Sequence, residues 1–123
     1  MDKAPVFMLV EPSPILQSVL HKWLQDILHK PCLLIAENGV EALRLAAQEN
    51  PSHVLIELNL PDRTGFETLR QLRLSLPAAK IIATGWYDHS FFLDRIRSAG
   101  ADEFVLKDKL ASELLQLWEI PTD

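Results

Sequence analysis

A single cysteine, Cys32, is all the thiol chemistry this 123-residue chain carries, and one cysteine cannot close an internal disulfide. No signal-peptide pattern and no apolar run long enough to span a bilayer is found in the sequence, so no membrane contact is expected and the cytoplasm is the expected compartment. Cys32 itself is expected as a small buried residue of a strand. Positive charge is also scarce: 12 basic residues stand against 17 acidic ones, net −5, and the basic ones are scattered. With no positive stripe to track a phosphate backbone, direct nucleic-acid binding is not expected, and the partners should be proteins. Repeats, low-complexity tracts and linker-like runs are missing as well. With 48% hydrophobic residues, positions 1–123 are read as one domain around one core.

What is present is organised around VLIELNLP, Val54 to Pro61. Val54, Leu55 and Ile56 form a short apolar run of the kind buried on both faces of a sheet, and the run delivers Glu57 to its carboxyl end. Pro61, Asp62 and Gly65 interrupt the pattern before a helical one begins near Phe66. Similar runs occur at Val6 to Val10, Cys32 to Ala36, Lys80 to Thr84 and Glu103 to Lys107. Between and after them lie helical patterns. The first opens with Ser13 as N-cap and Pro14 at the first helical position, and Ile15, Leu16, Val19, Leu20, Trp23, Leu24, Ile27 and Leu28 make its wide apolar face. The second runs from Val40 to Gln48 with Val40, Leu43, Ala46 and Ala47 inward, and Asn50 and Pro51 end it. In the third, Phe66, Leu69 and Leu72 point inward and Arg70 and Arg73 outward, with Pro77 closing it. The fourth, from Ser90, puts Phe92, Leu93, Ile96 and Ala99 on one face and is capped by Gly100. The last spans about Leu110 to Trp118.

Five strands alternating with five helices imply an α/β fold: a parallel sheet covered on both faces by right-handed crossovers, hence doubly wound. In such a sheet all carboxyl ends share one edge, which is where binding sites form. Glu11, Glu57, Thr84 and Lys107 should therefore converge although they are far apart in sequence. Two carboxylates, a hydroxyl and an ammonium in one crevice can hold an anion or a metal, or can simply neutralise one another. His21 and His29 have no carboxylate at ligand spacing and are read as surface residues.

VFMLVEPSP, ENGVEAL, VLIELNLPDRTGFE, IIATG and AGADEFVLKD together resemble, over essentially the whole chain, the receiver domain of bacterial two-component response regulators, the CheY-like fold. The resemblance implies the strand order 2-1-3-4-5. It also implies an aspartate phosphorylated at the third strand's end, an acidic pair after the first strand that holds magnesium, a Thr and a Lys that contact the phosphoryl group, and an aromatic switch residue on the fifth strand. Carried over, the acceptor position falls on Glu57, the acidic pair on Glu11 and Pro12, the neighbouring pocket position on Asn59, and the switch residues on Thr84, Phe104 and Lys107. Glu57 is one methylene longer than aspartate and Pro12 has no side-chain oxygen, so the magnesium site is expected to be lost and no cofactor is expected.

Two functions follow from the resemblance. In the first, the chain is a pseudo-receiver, a protein-interaction module with no enzymatic role and no aspartyl phosphorylation. In the second, it accepts a phosphoryl group on a substitute such as Asp62 or Ser13. Implied partners are a histidine kinase, an output domain, another regulator or a second copy of the chain, docking on an aromatic surface formed by Trp86, Tyr87, Phe91 and Trp118.

Overall fold

Strands β1 (Val6–Val10), β2 (Cys32–Ala36), β3 (His53–Glu57), β4 (Lys80–Gly85) and β5 (Glu103–Leu106) form one parallel sheet in the order β2-β1-β3-β4-β5. The computed structural model describes residues 4–62, 64–88 and 90–121. Helices α1 (Pro14–Ile27), α2 (Gly39–Glu49), α3 (Gly65–Ser75), α4 (Leu93–Ala99) and α5 (Leu110–Leu117) follow the strands in turn. This is the doubly wound, five-stranded architecture that the alternation of patterns predicts. Short 3-10 turns, Ser90–Phe92 and Lys107–Lys109, lead into α4 and α5.

The period-2 alternation of strand side chains divides the interior into two layers. Met8, Val10, Val54, Ile56, Ile81 and Ala83 pack against Ala42 and Ala46 of α2, Leu69 and Leu72 of α3, and Ile96 and Ala99 of α4. Phe7, Leu9, Leu55, Ile82 and Val105 face the other way, onto Leu20 and Leu24 of α1 and Leu110 and Leu114 of α5. The central strand β3 is buried on both faces from Val54 to Glu57, which is why its sequence reads as a continuous apolar run.

Side-chain caps set the helix starts. Ser13, Asn38 and Thr64 accept the amides of Leu16, Glu41 and Glu67 at 3.3, 2.8 and 3.2 Å, each satisfying a donor that has no partner in the first turn. At the other end of α4, Gly100 takes φ +125, a value that L side chains rarely adopt.

Several expectations need correction. Cys32 is exposed, because it is the first residue of an edge strand and lies at the uncovered end of the sheet. On α1, Ile15, Val19 and Ile27 are exposed, since a single sheet face can cover only a stripe of the helix and Leu20 and Leu24 fill it. Val40 and Ala47 are likewise exposed on α2, while Ala42 and Ala46 face the sheet. Arg73 turns inward: its guanidinium donates to the carbonyls of Gly100 (2.8 Å), Leu76 (3.1 Å) and Ala79 (2.8 Å) and pairs with Asp102 at 3.0 Å. Trp118 is fully buried, and its indole donates to the Val54 carbonyl at 3.1 Å, so it belongs to the core and to no docking surface. Lys107 lies just past β5, in the 3-10 turn.

Candidate functional site

Parallel pairing fixes which residues meet at the carboxyl edge. Val10 is in register with Ile56, and Glu57 with Thr84, so Glu11, one residue beyond β1, emerges beside the end of β3. The turn after β5 brings Lys107 to the same place. Its ammonium lies 2.6 Å from Glu11 Oε1 and 3.5 Å from Glu57 Oε2. Glu11 and Lys107 side chains are each 4% exposed and that of Glu57 is 9% exposed, so all three charges sit away from water.

The two carboxylates are held unequally. Glu11 has both oxygens occupied: Oε1 accepts from Lys107, and Oε2 accepts the Ser13 backbone N–H at 2.9 Å. Its own carbonyl receives the Gln17 amide at 2.6 Å, which ties the loop after β1 to α1. Glu57 Oε2 has no hydrogen-bond partner. At 3.5 Å the lysine attracts it but lies beyond a good N–H···O distance. Burial pushes the Glu57 carboxyl above its usual range; Lys107 and the Leu58 backbone N–H oppose the shift and the negative Glu11 adds to it.

Thr84 reaches the edge as expected, but its hydroxyl does not join the carboxylates. It donates to the Val105 carbonyl at 2.7 Å and so pins β4 to β5. Asn59 is exposed and forms a bridge with Thr64 across the loop after β3. Phe104 is half-buried against the core layer of α2, α3 and α4. Pro12 is half-buried between β1 and α1.

Two features of this edge escape sequence reasoning. Asp62, read as a loop residue, accepts the Gly39 and Val40 amides, each at 2.9 Å, and so anchors the start of α2. Only the helix-start motif of α2 hints that such an acceptor is needed. The second is Trp86, whose ring centroid lies 5.5 Å from the Lys107 ammonium, within the range of a cation–π contact. Trp86 is 57% exposed and Tyr87 and Phe91 are more so, with the half-exposed Phe92 nearby in sequence. The buried ionic cluster thus lies beneath the exposed Trp86 ring. Beside it, a groove of about 280 Å³ runs between Leu16, Val19 and Trp23 of α1 and Leu110 and Ala111 of α5. A larger cavity of about 830 Å³, which includes Phe7, His53 and Ile120, opens elsewhere, at the amino-terminal edge of the sheet.

Among the described residues no helix is long and apolar enough to cross a membrane. Known proteins agree with the architecture. The chain is similar to the probable C4-dicarboxylate response regulator DctR of Priestia megaterium, with 25% identity over 105 residues, 85% of this chain and 46% of that protein. It is also similar to the chemotaxis protein CheY of Listeria monocytogenes, with 31% identity over 85 residues, 68% of this chain and 71% of that one. The crystal structure of a LuxR-family two-component response regulator from Aurantimonas superposes with a TM-score of 0.81 at 28% identity, covering 93% of this chain and 81% of that one. The chain spans less than half the length of DctR. The family model for the response regulator receiver domain matches residues 7–119, and the chain belongs to that family.

Proposed function

We propose that this receiver domain acts as a protein-interaction module that is not switched by aspartyl phosphorylation. The observation that carries the reading is the state of the strand-end pocket: Glu57 stands at the end of β3, and Lys107 fills the space between it and Glu11. Phosphoryl transfer to a receiver needs the acceptor carboxylate in line with the leaving oxygen, and a metal and a cation placed on the oxygens of the transferred group. Here the residues do not fit magnesium. Magnesium demands near-octahedral oxygen ligands, whereas Pro12 offers no side-chain oxygen and both oxygens of Glu11 are already taken by Lys107 and the Ser13 amide.

The substitute acceptors are engaged elsewhere. Asp62 spends both oxygens on the start of α2, and the Ser13 hydroxyl caps α1. A Glu57 carboxylate imitates a phosphorylated side chain only in part, offering one charge where a phosphoryl group carries about 1.5–2. No catalytic role is assigned to the chain. Its partners are a histidine kinase, an output domain, another regulator or a second copy, and the docking surface is the exposed group Trp86, Tyr87 and Phe91, with Phe92 beside them. Aromatic residues in that setting supply the rigid anchors that interface centres favour.

Calorimetric titration with magnesium chloride tests the pocket. The expected result is no saturable heat at millimolar magnesium; an ordered octahedral ion on Glu11 and Glu57 in a magnesium-soaked crystal would overturn the reading.

A further inference from the structure

The pocket's charge does not close. Glu11 and Glu57 each bring one negative charge and Lys107 one positive charge, and the side chains are 4%, 9% and 4% exposed. One uncompensated negative charge is thus held away from water, where an unpaired ion is costly and groups take up protons instead. The excess sits on one atom in particular. Glu11 is fully hydrogen-bonded as a carboxylate, whereas Glu57 Oε2 is buried without a hydrogen-bond partner and Lys107 stands closer to Glu11.

We propose that the strand-end pocket is a single-proton binding site on Glu57, read out at the surface through Lys107 and Trp86. The inference rests on the proposed reading of Glu57 as an unphosphorylated group, and it names the input that the pocket accepts. The charged groups that face Glu57 are Glu11 from the end of β1 and Lys107 from the turn after β5; β4 contributes the Thr84 hydroxyl, which is bonded to Val105. With Glu57 ionised, Lys107 is drawn toward two carboxylates. With Glu57 neutral, Glu11 and Lys107 remain as a complete pair of zero net charge, and the pull of Glu57 on the ammonium is gone. The ammonium lies 5.5 Å from the centre of the Trp86 ring, so a change in its position or charge environment reaches an indole that is itself exposed at the surface. The direction of the Glu57 shift, upward because of burial, agrees with this geometry.

The test is a pH titration followed by nuclear magnetic resonance, with the Glu57 side-chain carboxyl carbon and the Trp86 indole N–H observed in the same samples. The expected result is one Glu57 step with its midpoint above the free-glutamate range and a Trp86 step at the same midpoint. In Glu57→Gln the Trp86 step disappears while the remaining amide spectrum keeps its dispersion. Either of two outcomes overturns the proposal: a Glu57 midpoint at or below the free-glutamate value, or a Trp86 step that persists unchanged in Glu57→Gln. The Glu57 midpoint in the parent decides the matter even if the variant folds poorly. Failure here leaves the phosphorylation-independent reading intact, whereas a phosphoryl adduct on the parent removes that reading whatever the titration shows.

Discussion

Lys107 is the residue on which the strand-end pocket depends, because among the described residues its ammonium is the cation that pairs with both buried carboxylates. Replacing it with Met keeps the apolar stem and leaves Glu11 and Glu57 facing each other unpaired. Breaking a buried ion pair from one side costs about 3–5 kcal/mol, so Lys107→Met should lower the unfolding free energy measured by urea titration by about that amount at neutral pH; a loss near zero would mean that water reaches the pocket freely. The pH dependence has two opposing parts. Burial raises the Glu57 carboxyl above its ordinary value of 4.5, so the fold binds that proton more tightly than the unfolded chain does. Its contribution to stability is complete below that value and declines as pH rises through the folded one. His53 is lowered from 6.5, first by burial, with Lys80 adding to the shift and a backbone bond to Trp118 opposing it. Its contribution is present above 6.5 and is lost as pH falls through the lower folded value. Urea midpoints measured from about pH 4 to about pH 8 should lose the first dependence in Glu57→Gln and keep the second.

At the scale of elements, the first residue of α3 packs tightly against the loop that follows β3. A Cβ on Gly65 would stand 2.5 Å from both the Cα and the carbonyl oxygen of Leu58, and backbone atoms cannot swing aside as a side chain can. Gly65→Ala should therefore destabilise by about 1–3 kcal/mol, the range for forced overpacking. Asp62→Ala, which removes acceptors from two amides at the start of α2, should cost about 1 kcal/mol, as losing a cap does. Thermal melts of the two variants give the order directly; a harmless Gly65→Ala would show that Leu58 can shift. These contacts also mark how far the sequence is legible. The limits of β1 and β2 and the Ser13 and Gly100 caps are encoded by neighbouring residues, and they emerge where the pattern puts them. Asp62 reaching 23 positions back to Gly39, and Arg73 reaching 27 forward to Gly100, are encoded by the fold. Periodicity assigns a charged residue outward because it sees only its own helix. The same limit explains α1, whose apolar face is wider than the stripe a sheet can cover, and Trp118, whose indole is satisfied by a carbonyl 64 positions away.

For the whole molecule, convergence of Glu11, Glu57 and Lys107 at one sheet edge follows from topology and was legible once five alternating units were recognised. The orientation of Thr84 and the placement of Trp86 over Lys107 depend on packing and were not. The exposed aromatics beside this edge provide the docking test. Changing Trp86 and Phe91 together to Ser should weaken self-association or partner capture, measured by sedimentation and by pull-down, while the melting temperature stays within a few degrees because surface changes rarely exceed about 0.5 kcal/mol. Unchanged behaviour in both assays would remove the patch. The central claim, that the domain works without a phosphoryl switch, is tested most directly by intact mass after exposure to acetyl phosphate and magnesium, with the parent and a Pro12→Asp, Glu57→Asp double variant treated side by side. The parent should keep its mass, and the double variant, in which Pro12→Asp supplies the missing carboxylate and Glu57→Asp removes the extra methylene, should gain a phosphoryl adduct. A stoichiometric adduct on the parent would contradict the claim.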